Sequence, residues 1–223
     1  MRSYEEFIER WIPVILKALV ETFQMSTISL LLSIVIGIAM GIVLVLTRPG
    51  QSFENKWIYN LLNVFVNIIR SIPFIILLFF LLPFTKLIAG TVIGVKGVIV
   101  PLVVYTAPYI ARLMETALLE VDPGVVEAYT AMGVKRRSII WHVLLREARP
   151  SIILGLTIAT IGLIGATAMA GLVGAGGLGD LAYRFGHVRY EVDIMYLTVF
   201  ILVVIVQGIQ MIGNHFSAKL KRD

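Results

Sequence analysis

The chain has 223 residues, 58% of them hydrophobic and 15% charged, with a formal net charge of +5 and a mean hydropathy of +0.92. A water-soluble domain of this length would leave too much apolar surface facing solvent, so the composition predicts a protein of the bilayer. The basic residues lie between apolar runs rather than along one face, which argues against a nucleic-acid surface, and the absence of cysteine excludes disulfide, zinc-thiolate and thiol chemistry.

Glu5, Glu6 and Glu9 occupy the region where a secretory signal would be basic, and no small-residue cleavage site follows, so no signal peptide is expected. Instead Tyr4, Phe7, Ile8, Trp11, Ile12, Ile15, Leu16 and Leu19 recur at helical spacing. Residues 1–20 therefore read as an amphipathic segment. It either lies in the membrane interface or leads helically into the first span and packs on its neighbours.

A span needs about 20 largely apolar residues. The first candidate is 22–47, charge-free between Glu21 and Arg48; within it Gly37 and Gly41, with Ser33 above them, form a row of small residues that lets another helix approach closely. The second is 61–85, interrupted by Arg70, with Pro73 and Pro83 expected to kink or break it. Asn63, Asn67 and Arg70 share one face there. Arg70 is either a pathway residue or a side chain snorkelling at the cytoplasmic boundary. The third candidate, 97–111, is short and carries Pro101 and Pro108.

Residues 112–149 are the one long polar interruption. Asp122 before Pro123 is a helix-start signal, a capping carboxylate followed by proline at the first helical position. Val125, Val126, Tyr129 and Met132 then recur at helical spacing, and Gly133 is placed to end that helix. A basic cluster, Lys135-Arg136-Arg137, leads into a second stripe of Ile139, Ile140, Val143 and Leu144, closed by Arg149-Pro150. Two short amphipathic helices of this kind either dock as a knob in a groove of another protein or lie on lipid headgroups.

The fourth span candidate, 150–179, contains Met169 in the small-residue run 165–171, where a lone flexible side chain either gates a narrow path or fills a gap. It ends in Gly174-Ala175-Gly176-Gly177-Leu178-Gly179. That matches the dinucleotide pattern GxGxxG but follows a membrane span rather than a strand, so the glycines read as a tight turn at the outer mouth. The fifth candidate is 194–218. The predicted fold is all-α, one polytopic transmembrane domain over 1–223 with about five spans. Lys and Arg number eleven on one side of such a topology and seven on the other, placing the N-terminus outside and the C-terminus in the cytoplasm.

No catalytic constellation is present. His142, His187 and His215 are far apart, and neither HExxH, GxSxG nor GxxxxGK[ST] occurs, so any ATP chemistry belongs to a partner. Glu127-Ala128-Tyr129, three residues, Gly133, and then Val143-Leu144-Leu145 resemble the EAA loop of bacterial ABC-importer permeases. Tyr129 stands for the second alanine, Val143 for isoleucine and Arg146 for proline. Arg70-Ser71-Ile72-Pro73-Phe74, residues 107–112 and residues 174–179 further resemble permease subunits of the methionine-importer (MetI-type) branch, and together these motifs cover roughly residues 20–218.

The resemblance implies a type I ABC-importer permease fold in a bacterial inner membrane, working as a homodimer with two ATPase subunits and an extracytoplasmic substrate-binding protein. It implies that Glu127, Ala128, Tyr129, Gly133, Val143 and Leu145 meet the ATPase, and that ATP and Mg²⁺ sit on that partner, with no cofactor or metal in this chain. Met169, Arg70 and Pro73 are candidate gate or pathway residues, and Gly174, Gly176, Gly177 and Gly179 the outer-mouth loop. Membrane lipid is the remaining partner, and no nucleic acid is expected. The competing reading is a secondary amino-acid transporter, or an ABC permease for another small solute. A secondary transporter would show matching halves and intramembrane carboxylates, yet Glu115, Glu120, Asp180 and Asp193 read as lying outside the spans.

Overall fold

The computed structural model describes residues 4–51 and 53–221, and side chains from residue 9 onward apart from Arg136. The side chains of Tyr4, Phe7 and Ile8 of the N-terminal stripe, and Arg2 and Arg222 of the charge balance, fall outside what is described. Among the described residues the regular structure is entirely helical: α1 (Tyr4–Thr47), α2 (Lys56–Ser71), α3 (Phe74–Ala89), α4 (Gly94–Leu119), α5 (Pro123–Ala131), α6 (136–147), α7 (Arg149–Gly171), α8 (177–188) and α9 (Val192–Leu220). Four helices are long and apolar enough to cross a bilayer, and α2 with α3 makes a fifth span if the broken pair counts as one.

The break has a local cause. Ile72 precedes a proline, which disfavours the helical region, and it is extended at φ −89° and ψ 124°. Pro73 then opens α3 without needing a backbone donor. Pro83, by contrast, lies inside α3 without ending it. The second span therefore runs as two helices from Lys56 to Ala89, longer at both ends than 61–85.

The chain packs as two compact units. One comprises the chain up to Leu31, Pro73–Val104 and Thr160–Gly208; the other comprises Leu32–Ile72, Tyr105–Ala159 and the chain from Ile209. In the first, Trp11 and Ala18 of α1 are buried against Leu178 and Leu181 of α8 and Ile194 of α9. Trp11 meets Phe185 edge to face at 5.1 Å. The described part of the N-terminal stripe is thus helical and continuous with the first span: Trp11, Ile15 and Leu19 pack on its neighbours, while Ile12 and Leu16 stay exposed.

In the second unit α1 lies against α4 through its small-residue row. A Cβ at Gly37 would sit 2.7 Å from the Ala107 carbonyl oxygen, and one at Gly41 would sit 2.5 Å from the Met114 Cβ. Leu44, Val66 and Ala111 bring α2 into the same core. The third span is longer than 97–111: α4 runs to Leu119 and carries Arg112 and Glu115 inside the helix. Glu115 does not lie outside the spans as its charge suggested. It is 3% exposed and ion-paired with Arg112, which removes the reason to end the span before them.

Gly41→Leu drives a side chain into α4, and overpacking of this kind costs about 1–3 kcal/mol. Thermal unfolding of the purified chain in detergent should register that loss. Gly208→Ala, where nothing lies within 4 Å of the added Cβ, should leave the midpoint unchanged or raised.

Candidate functional site

The polar interruption folds as two short helices. Asp122 accepts a hydrogen bond from the Gly124 N–H at 2.8 Å and Pro123 takes the first helical position, as the sequence signal requires. At the other end Gly133 adopts φ +76°. The Val134 N–H donates to the Tyr129 carbonyl at 3.2 Å, and the Gly133 N–H donates to that of Thr130 at 3.0 Å. These two bonds are the Schellman stop, which a left-handed residue at this position permits. α6 follows, with a π-helical stretch over Ile139–Leu144 that widens its middle turns.

Inner and outer surfaces of the pair differ. Ile139 and Ile140 are buried, and with Leu118, Val121, Val126 and Leu144 they help bound a cavity of about 380 Å³. Glu127, Ala128 and Gly133 are exposed, as are Tyr129, Met132 and Trp141, the last two with about two-thirds of their surface uncovered (66% and 64%). Val143 and Leu145 are half-buried. The expected ATPase-facing residues therefore divide: Ala128, Tyr129 and Gly133 lie on the open side of α5 and its stop, Glu127 is exposed at the edge of the inner cavity, and Val143 and Leu145 partly serve packing. Large apolar side chains left open beside acidic and basic ones suit a protein partner better than lipid.

The base of the pair is fastened. Ser151 Oγ, at the start of α7, donates to Glu120 Oε2 at 2.6 Å, joining the chain just past α4 to the next span. Ser217 Oγ near the end of α9 donates to the Pro150 carbonyl at 2.9 Å.

Closer to mid-membrane the sequence left a partnership unseen. Asn63 and Asn67 of α2 do not pair with Arg70. Each accepts a hydrogen bond from Arg112 at 2.7 Å, while the other guanidinium nitrogen pairs with the buried Glu115. Arg112 had been counted among the loop charges, and no spacing rule links residues 45 and 49 positions apart. Arg70 lies in the last turn of α2, exposed, with its guanidinium 5.7 Å from the Tyr109 ring centre. Fourteen residues at about 1.5 Å each separate it from Lys56, so it cannot snorkel to the boundary that Lys56 marks. Pro73 is exposed and caps α3.

In the first unit Met169 is half exposed (50%) in the last turns of α7. The glycine loop that follows is a tight turn: Gly174, Gly176 and Gly177 all have φ near +80°. Glu21 Oε2 of α1 accepts from the Gly177 N–H and Thr22 Oγ1 from the Leu178 N–H, both at 2.8 Å, so the first span caps α8. These contacts, with Asp180 and Arg184 paired to each other, edge an open cavity of about 560 Å³. Glu21 and Thr22 were not foreseen as part of this loop. No group of three His, Asp or Glu side chains among the described residues is placed to hold a metal ion.

A protein family described as "Binding-protein-dependent transport system inner membrane component" matches residues 33–213. The "Probable D-methionine transport system permease protein MetI" of Vibrio cholerae is 45% identical over 200 residues, covering 90% of this chain and 89% of that protein. The "Methionine import system permease protein MetP" of Bacillus subtilis is 45% identical over 171 residues, 77% of each chain. A solved structure of inward-facing conformations of the MetNI methionine ABC transporter superposes with a TM-score of 0.92 at 42% identity, covering 95% of this chain and 98% of that one.

Removing one partner of a buried ion pair strands the other charge at a cost of about 3–5 kcal/mol, whereas replacing both by apolar groups is close to neutral. Arg112→Ala should therefore lower the thermal midpoint of the purified chain markedly. The double variant Arg112→Met, Glu115→Leu should recover most of the loss.

Proposed function

The chain belongs to the inner membrane components of binding-protein-dependent transport systems, and from that premise we propose that it is the permease subunit of an ATP-driven importer carrying an amino acid, methionine, across the bacterial inner membrane. Two copies line the path, two separate ATPase subunits drive it, and an extracytoplasmic binding protein delivers the solute. The N-terminus lies outside and the C-terminus in the cytoplasm, following the Lys and Arg asymmetry. The reading of methionine rests on the relatives' described substrates, which match over most of the chain.

The observation that carries the coupling role is α5 with its backbone stop: an exposed, capped helix between two spans, bearing Ala128, Tyr129 and Gly133 on its open side and Glu127, also exposed, at the edge of the cavity behind it. Val143 and Leu145 hold α6 beside it. ATP and Mg²⁺ sit on the ATPase, and this chain needs no cofactor of its own. ATP-driven closure of the ATPase pair pushes on α5 and, through the Glu120–Ser151 fastening, on the ends of two spans. ATP has to favour one of the inward-open and outward-open states over the other for this to do work.

The remaining sites are assigned by position. Met169, half exposed among small neighbours, gates the path. Arg70 and Pro73 border the break in the second span, and the turn of Gly174 and Gly176 with the first turn of α8, which holds Gly177 and Gly179, forms the outer mouth.

Glu127→Ala removes an exposed carboxylate, and Gly133→Val forces a β-branched residue into a left-handed conformation worth roughly 1–2 kcal/mol of strain. Both should weaken co-purification of the ATPase and ATP-driven uptake, Gly133→Val more severely. Full complex and full transport in both variants would sink the coupling assignment. Met169→Ala should raise passive leak and basal ATP hydrolysis in proteoliposomes. If both stay at the unsubstituted level, Met169 is packing and not a gate.

A further inference from the structure

Helix α2 has three faces rather than two. Successive residues turn by about 100°, so Tyr59, Leu62, Val66 and Ile69 fall on one side, where Val66 is fully buried and the others half-buried. Trp57, Leu61, Val64, Phe65 and Ile68 fall on the opposite side and are all exposed, Trp57 most of all at 88%. Between them runs a narrow flank of Lys56, Asn60, Asn63, Asn67 and Ser71, polar from one end of the helix to the other. Asn60, Asn67 and Ser71 on that flank are exposed.

An amphipathic helix with one apolar face packed and another turned outward needs only lipid on its open side. The polar flank does not fit that environment. The 16 residues of α2 make a rod about 24 Å long, and as the first part of the second span it carries Asn60 about 6 Å and Asn67 about 16 Å beyond Lys56. A carboxamide facing acyl chains forfeits hydrogen bonds to water at a cost of several kcal/mol. The guanidinium of Arg112 reaches the same flank, at 2.7 Å from both Asn63 and Asn67. Asn67 also donates to Asn63 Oδ1 at 3.4 Å and Ser71 Oγ to the Asn67 carbonyl at 2.6 Å, so within a span it is the exposed Asn60, and the outward sides of Asn67 and Ser71, that call for water.

We propose that Lys56, Asn60, Asn63, Asn67 and Ser71, with Arg112 behind them, form the wall of a water-filled half-channel through which the solute leaves toward the cytoplasm. This rests on the permease reading above and adds residues to its path. The chemistry fits a small zwitterion. The amides offer donors and acceptors together and Glu115 neutralises Arg112, while Arg70 at the far end of the same face leaves one positive charge that a passing carboxylate can meet.

The chain contains no cysteine, so single cysteines report cleanly. Asn60→Cys and Asn67→Cys, with Leu61→Cys and Val64→Cys on the apolar face, are made in the full permease–ATPase complex and reconstituted in vesicles. A membrane-impermeant cationic methanethiosulfonate is applied from the cytoplasmic side. A thiol must ionise to react and does so poorly in apolar surroundings, so positions 60 and 67 should label roughly tenfold faster or more than 61 and 64. Trapping the complex with ATP and vanadate should slow positions 60 and 67. Equal rates at all four positions would overturn the proposal. So would a disulfide between two copies through position 60 on mild oxidation, combined with resistance to the reagent, because the flank would then be a copy-to-copy contact. Asn60→Cys carries the test even if Asn67→Cys loosens Arg112. Failure of the permease reading shows separately, as absent ATP-driven uptake in the unsubstituted complex; failure of this inference leaves uptake intact and the flank unlabelled.

Discussion

A guanidinium inside a bilayer has to be matched by the chain that carries it, and Arg112 is matched from two directions. Glu115, one turn further along α4, supplies the opposite charge, and Asn63 and Asn67 of α2 accept the remaining donors. That set of bonds extends the third span by two turns beyond its apolar stretch and holds α2 to α4 at depth. It also fixes which flank of α2 is polar. Glu115 is the buried member of the set, so breaking its pairing with Arg112 strands a carboxylate away from solvent, which makes the arrangement more constraining than the same four residues would be on a wet surface.

The readable parts of this protein are those whose physics is local. Asp122-Pro123 opens α5 and Gly133 ends it, because capping and left-handed termination involve residues within one turn. Gly37 and Gly41 mark a close helix contact, although only the structure names α4 as the neighbour. Pro73 signals a break, but a kink and a full interruption differ only in the backbone of Ile72. The partnership of Arg112 was not legible. Its acceptors lie on another helix, and a hydropathy window reads Arg112 and Glu115 as two charges rather than as one neutral pair. The same blindness hid Glu21 and Thr22, whose role depends on α8 returning to the first span after more than 150 residues.

The pair of α5 and α6 shows how a protrusion can be small and still held at its base. Its two ends leave and enter the membrane beside each other, and the Ser151–Glu120 bond closes that neck at 2.6 Å. Ile139 and Ile140 anchor the inner side of α6, while the outer side of α5 has no buried residue at all.

The stop at Gly133 separates two requirements that often compete. Because Val134 and Gly133 close α5 with main-chain donors alone, none of the side chains from Glu127 to Met132 is needed to end the helix. Their identities are free to answer to whatever sits opposite. Tyr129 puts a bulky ring on that surface without disturbing the turn beneath it. A bacterium that runs several such pumps at once faces a problem of mistaken pairing between engines and pores. A loop built this way can carry a distinct badge for its own engine while its fold stays the same.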